Sequence, residues 1–206
     1  MARLLWLNDV RATAEGCQPP GYGLAARGHL NLPLLSILNL AVLPPAWLVF
    51  ALLTAPLGGP VDLFARPFAL RFDLAGLALV LLTALLVLPV VHELAHGLVA
   101  AVCRARPVYG LGPGVAFCHF RELVTRDQYV AVVAAPLLLI SVVGVAAMPF
   151  TPALLRGPLL ALLVLNVAGA VGDAAVLADV ARLPRAALIA DTREGFEAYL
   201  PGEAAR

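Results

Sequence analysis

The sequence predicts an all-α, multi-pass membrane protein. It should have about four transmembrane helices, a small cytoplasmic hairpin or re-entrant loop, and a short soluble C-terminal tail. Three observations predict this. Of 206 residues, 62% are hydrophobic and only 13% charged, with a mean hydropathy of +0.93, outside the range of soluble globular domains. Four apolar stretches reach membrane-spanning length. The basic residues, all arginine, fall unevenly between the two sides that four crossings define. The net charge of +1 gives no basic surface for nucleic acid.

Residues 1–30 are mixed and polar and read as a cytoplasmic N-terminal tail. The opening run Met1–Leu7 is too short for a signal peptide and no small-residue cleavage site follows, so the N-terminus is expected to be retained. Residues 31–183 form the expected membrane domain. Its first span is Pro33 to Ala55, where the Pro44-Pro45 pair predicts a kink. A Gly/Pro-containing loop with Arg66 and Arg71 follows. The second span, Leu74 to Val102, would be about 43 Å long as a helix, more than the roughly 30 Å hydrocarbon core; it must tilt or project. Pro107 to Phe120 alternates weakly and carries Gly110, Gly112 and Gly114, which suggests a hairpin or re-entrant loop. The third span, Tyr129 to Met148, contains Pro136. The fourth lies within Leu154 to Leu183. Residues 184–206 read as a cytoplasmic tail in which Asp191 and Glu194 form a capping box for a short helix through Tyr199. The three cysteines, Cys17, Cys103 and Cys118, form no CxxC pair and point to free thiols.

With four crossings, one side receives Arg3, Arg11, Arg27, Arg104, Arg106, Arg121, Arg126, Arg182, Arg185, Arg193 and Arg206, the other only Arg66, Arg71 and Arg156. This bias places both termini in the cytoplasm of a cell-membrane protein.

The chemistry concentrates in Pro89-Val90-Val91-His92-Glu93-Leu94-Ala95-His96-Gly97, late in the second span. A His-Glu-x-x-His on a helix sets two imidazoles one turn apart on one face. That spacing suits a single Zn²⁺, with the intervening Glu as general base. Ionisable groups in a membrane-length segment are costly and usually face a functional cavity. A structural or inactive histidine pair is the plainer alternative.

A catalytic zinc takes a third protein ligand. By helical rise, His92 and His96 lie about 15 and 9 Å from the cytoplasmic end of the second span, and Asp173 about 13–14 Å from that of the fourth. Asp173 is the only carboxylate in the interior of any other span and is therefore favoured, with His119 and Cys118 of the loop as competitors. Gly169 and Gly172 suggest close approach of the fourth helix to the second. Asn166, two turns before Asp173, suits either a substrate carbonyl or an interhelical hydrogen bond.

His92-Glu93-Leu94-Ala95-His96-Gly97, Ala135-Pro136 and Asn166-x-x-Gly169-x-x-Gly172-Asp173, with the tail from Ala187 to Tyr199, resemble a family of small bacterial and archaeal membrane proteins of unassigned function described as zincin peptidases. The resemblance covers about residues 75–200. More distantly, the arrangement resembles site-2 proteases, which cut substrates within the membrane. It implies that His92, His96 and Asp173 bind zinc, Glu93 activates water and Asn166 assists the substrate carbonyl. Site-2 proteases, however, have a Pro-rich stretch between Asn and Asp and a Gly after the Asp, where this chain has glycines and Ala174.

The expected function is therefore that of an intramembrane zinc metallopeptidase with Zn²⁺ as cofactor. It would act on a membrane protein or peptide substrate near the cytoplasmic side of the lipid bilayer. Glu93 would take a proton from the zinc-activated water and pass it to the leaving amine. The loop at Pro107–Phe120 would capture an extended substrate by β-addition. Two other classes stay open: a non-catalytic metal-binding scaffold or chaperone, and a metal-dependent hydrolase of a non-peptide bond. Composition and spacing leave the oligomeric state open.

Overall fold

The computed structural model describes residues 18–29, 31–61, 74–112, 115–192 and 195–202. The expectations placed on Cys17, Arg66, Arg71, Gly114 and Glu194 lie outside them. The chain forms two compact units, one from the described parts of residues 1–36, 93–135 and 172–206, the other from those of 37–92 and 136–171.

The second unit is helical. Helix α1 (Leu32–Thr54) is continuous through Pro44 and Pro45 and ends in a 3-10 turn, Ala55–Leu57. Helix α2 (Leu74–Leu82) runs into a π-helical turn, Thr83–Val87, and then into helix α3 (Leu88–Val102). Together these make one 29-residue apolar helix, with the bounds the hydropathy predicts. The π turn has a cause in the sequence. Pro89 brings no N–H to the ladder, and just before it the Leu88 N–H reaches back five residues to Thr83 O,.

Helix α4 (Arg126–Ala147) carries Pro136 inside it and closes in a 3-10 turn, Met148–Phe150. Helix α5 (Ala153–Gly169) and helix α6 (Val171–Val180) meet at a 43° bend. The stretch expected as the fourth span is thus a bent pair of helices. Among the described residues, three helices are long and apolar enough to cross a membrane, or four if the bent pair counts as one.

In the helical unit Ala46, Phe50, Ala51, Met148, Leu160, Leu163 and Val164 form the core. Gly144 makes room for it, since a Cβ there would stand 2.5 Å from Leu163 Cδ2. The buried Thr54 hydroxyl is satisfied by donating to Phe50 O at 2.7 Å,. Arg156 closes one end, donating to Thr151 O at 2.9 Å and Gly58 O at 2.7 Å.

The other unit corrects the all-α expectation, because it is built on β structure. Strands β1 (Tyr22–His29), β4 (Val124–Thr125), β5 (Leu188–Thr192) and β6 (Gly195–Pro201) form an antiparallel sheet in the order β1-β6-β5-β4. A separate hairpin, β2 (Pro107–Gly112) and β3 (Val115–Phe120), pairs Pro107 with Phe120 and Tyr109 with Cys118. The hairpin falls where weak alternation and glycine predict it.

The helix expected to follow Asp191 is replaced by the β5–β6 pair. The capping-box spacing misleads because Asp191 takes side-chain and long-range backbone partners, described below. Phe196 through Leu200 are all buried, so β6 lacks the alternation that identifies a half-exposed strand. Its one charge is neutralised internally: Glu197 meets Arg27 Nε at 2.8 Å and accepts the Tyr199 hydroxyl at 2.6 Å. That pair locks β1 onto β6, so the N-terminal segment from Tyr22 is part of a sheet and not a free tail.

Helix α3 ends in a Schellman cap. Ala105 N–H donates to Ala100 O and Arg104 N–H to Ala101 O, both at 2.9 Å,. Arg104 occupies the left-handed position with φ 64°, where glycine is usual. The cap turns the chain directly into β2.

Candidate metal centre

The helical period of α3 places His92 and His96 on one face, one turn apart,. Each ring is held through Nδ1. His96 Nδ1 lies 2.9 Å from Val132 O of α4, a geometry in which the ring donates its N–H to the carbonyl and turns Nε2 outward,. His92 Nδ1 lies 3.4 Å from Asn166 Oδ1, and Asn166 Nδ2 donates to Pro136 O at 3.4 Å. Asn166 is 1% exposed. Its amide is thus engaged at both ends in the interhelical bonding that the sequence leaves open beside a substrate role.

Asp173 stands in the first turn of α6, where the helix dipole favours a carboxylate,. The bend puts it there. Ala170 N–H closes α5 on Asn166 O at 2.9 Å, and the chain restarts at Val171. The reading of Gly169 as a close-approach residue is corrected here: a Cβ at Gly169 would meet nothing within 4 Å. Gly169 lies at the break and not at a crowded contact. The break also means that Asn166 and Asp173 do not share a face of one straight helix.

Asp173 Oδ1 lies 3.5 Å from His96 Nε2. One ligand atom from each of His92, His96 and Asp173 falls within 4.8 Å of the others, the one such group of three among the described residues. Two ligands of a tetrahedral zinc at about 2.0–2.1 Å stand about 3.4 Å apart. The His96–Asp173 separation matches that figure. Two imidazoles and a carboxylate are also a donor set that zinc takes at catalytic sites. The residues present fit the metal.

The competing ligands do not join the group. Burial, with the charges of Glu93 and Asp191 adding to it, pushes the Cys118 thiol up to about 12, so it stays neutral. His119 stacks obliquely on Phe117 at 5.7 Å, and its Nδ1 is buried with no hydrogen-bond partner among the described residues.

Glu93 is half-buried and follows His92 directly. Gly97, after the second histidine, has a packing duty. A Cβ there would lie 1.9 Å from Tyr109 Oη and 2.5 Å from Tyr109 Cζ. The β2–β3 hairpin therefore rests a tyrosine on the glycine next to His96. The chemistry-bearing helix and the hairpin are joined at this contact.

A family signature described as "Putative zincin peptidase" matches residues 85–188, half of the 206-residue chain. The chain belongs to that family. The match takes in all of α3, the hairpin, α4, α5 and α6, and with them His92, Glu93, His96, Asn166 and Asp173. No curated protein and no solved structure matches. Family membership carries zinc and a metallopeptidase reading in outline, and the resemblance to site-2 proteases adds no finding to it.

Sequence reasoning missed Val132, which acts through its carbonyl and leaves no trace in residue type. It also missed Tyr129. That residue precedes Val132 by one turn of α4, and its hydroxyl donates to Asp191 Oδ1 at 2.9 Å. The signal available for it was a lone tyrosine opening an otherwise aliphatic span.

Proposed function

We propose that this protein is an intramembrane zinc metallopeptidase that hydrolyses peptide bonds of membrane-associated substrates near the cytoplasmic face. The observation that carries the reading is the grouping of Asp173 with His92 and His96, the two histidines that flank Glu93 in a helix of membrane length. Bound zinc would supply Lewis acidity, acidifying water and polarising a carbonyl oxygen. The protein's own residues do the rest. Val132 O and the Asn166 amide orient the two imidazoles. Glu93 takes the proton from the attacking water and delivers it to the leaving amine nitrogen. The buried Asn166 serves as the holder of His92, which suits its two partners better than a substrate contact does.

The sheet supports this orientation in the membrane. Strands β1, β4, β5 and β6 come from segments before α1, before α4 and after α6, and one sheet requires all three segments on one side. Four crossings, with α5 and α6 counted as one, satisfy this. The arginine excess on that side favours it as the cytoplasmic one. The β2–β3 hairpin, seated on Gly97, offers an open strand edge to an unwound substrate by β-addition. Proline substitutions along its free edge that leave proteolysis unchanged would remove this part of the reading.

Elemental analysis of detergent-purified protein tests the core. Wild type should hold about one zinc per chain, and His96→Ala and Asp173→Ala should lose it, whereas Glu93→Gln should keep the metal and lose turnover. Zinc retained in Asp173→Ala would move the third ligand elsewhere. A phenotype that survives Glu93→Gln would favour a non-catalytic scaffold. Turnover on lipid or another non-peptide bond in place of peptides would favour a different hydrolase.

A further inference from the structure

Asp191 has no arginine partner among the described residues, whereas elsewhere in its sheet Glu197 is neutralised by Arg27. It accepts from the Tyr129 hydroxyl at 2.9 Å and from the Phe120 backbone N–H. Tyr129, Phe120 and Phe196 are each 3% exposed, and their rings surround the bond, with centroids 6.1 and 6.3 Å apart. A carboxyl enclosed this way costs free energy that an apolar residue would avoid. It stands within electrostatic reach of His96 and Glu93.

Tyr129 and Val132 are three residues apart and share a face of α4. Val132 O is the acceptor that fixes the ring of His96. The start of α4 is already anchored along its axis, because Arg126 N–H donates to Ala187 O at 3.0 Å and β4 pairs with β5. Backbone bonds at the first residue of a helix constrain rotation about its axis less than a side-chain tie further along it does. The Tyr129–Asp191 bond supplies that constraint, three residues from the carbonyl that needs it.

We propose that Tyr129 and Asp191 form a positioning pair for the metal centre, fixing the rotation of α4 so that the Val132 carbonyl holds His96 in its metal-binding orientation. The inference rests on the zinc reading of His92, His96 and Asp173. It also assigns a reason for the β sheet to pack beside the site: the sheet is the rigid body against which a ligand's supporting carbonyl is set.

The test measures zinc affinity by competition with a chelating dye, and the visible spectrum of the cobalt-substituted protein, in wild type, Tyr129→Phe, Asp191→Asn and Arg27→Met. Tyr129→Phe should weaken zinc binding about tenfold and alter the cobalt spectrum, as loss of outer support for a ligand does. Asp191→Asn keeps an acceptor for the tyrosine hydroxyl and should stay within about threefold of wild type. Arg27→Met breaks the other buried pair of the same sheet; it should lower thermal stability and leave both metal readouts unchanged. Tyr129→Phe within about twofold of wild type with an unaltered cobalt spectrum would overturn the proposal. So would an equal loss in Arg27→Met, which would reduce the effect to general destabilisation. A wild type that binds no zinc would overturn the metal centre itself, a result distinct from either.

Discussion

Gly97→Ala puts the seating of the hairpin on α3 to a quantitative test. The added Cβ would stand 1.9 Å from Tyr109 Oη, 2.5 Å from Cζ and 2.7 Å from Cε1. Ordinary contact begins near 3.4 Å, so the ring must retreat by about 1.5 Å. Two terms of opposite sign compete. Replacing glycine by alanine within a helix gains about 1 kcal/mol from backbone propensity. Forcing the tyrosine off its seat costs about 1–3 kcal/mol. The packing term should win or draw, giving a net loss of about 0–2 kcal/mol.

A double-mutant cycle isolates the contact. In a Tyr109→Ala background the clash is absent and Gly97→Ala should stabilise by about 1 kcal/mol. The effect of the same substitution should therefore differ between backgrounds by about 1–3 kcal/mol. Thermal unfolding in mild detergent reads it, with bound zinc measured alongside. Equal effects of Gly97→Ala in the two backgrounds would refute the contact, and with it the argument that the hairpin is seated beside His96.

Two further outcomes follow from the fold. Arg104 closes α3 at φ 64°, so Arg104→Gly should raise stability by up to about 1 kcal/mol, measured by thermal unfolding, with the zinc content unchanged. Asp191 gives a pH dependence. Burial raises its carboxyl from 3.8 to about 7, against the opposing hydrogen bonds of Tyr129 and Phe120. The folded state thus binds this proton more tightly than the unfolded one. Its contribution to stability is complete below about pH 4 and is lost as pH rises to about 7, by at most about 4 kcal/mol and less with the side chain only half-buried. The stability difference between wild type and Asp191→Asn, followed from pH 4 to 8, should shift in favour of Asp191→Asn across that window. A pH-independent difference would show that the carboxyl ionises as freely in the fold as out of it.

What the sequence by itself determined was whatever depends on local periodicity and on scarcity. The span Leu74–Val102 was legible to the residue because a membrane allows only long apolar helices there. His92, Glu93 and His96 stood out because polar groups are rare in such a segment and their i, i+4 spacing has one geometric meaning. Asp173 followed from the same scarcity, and the hairpin at 107–120 from glycine and alternation.

Tertiary structure alone decided the rest. The sheet joins Tyr22–His29 to Gly195–Pro201, and pairing across that distance leaves no short-range pattern, the less so in a strand buried on both faces. Asp191 and Glu194 mimicked a helix cap because a capping box is only a spacing, and whether it forms depends on what else the aspartate can reach. Here it reaches Tyr129. The Val132 carbonyl belongs to a group every residue carries, so no residue type could announce it. Glycines 169 and 172 were visible, but whether they make room for a neighbour or permit a bend is settled by what lies next to them. The candidate ligands were written in side-chain chemistry; the groups that hold them were written in backbone position and packing, which only the folded chain brings together.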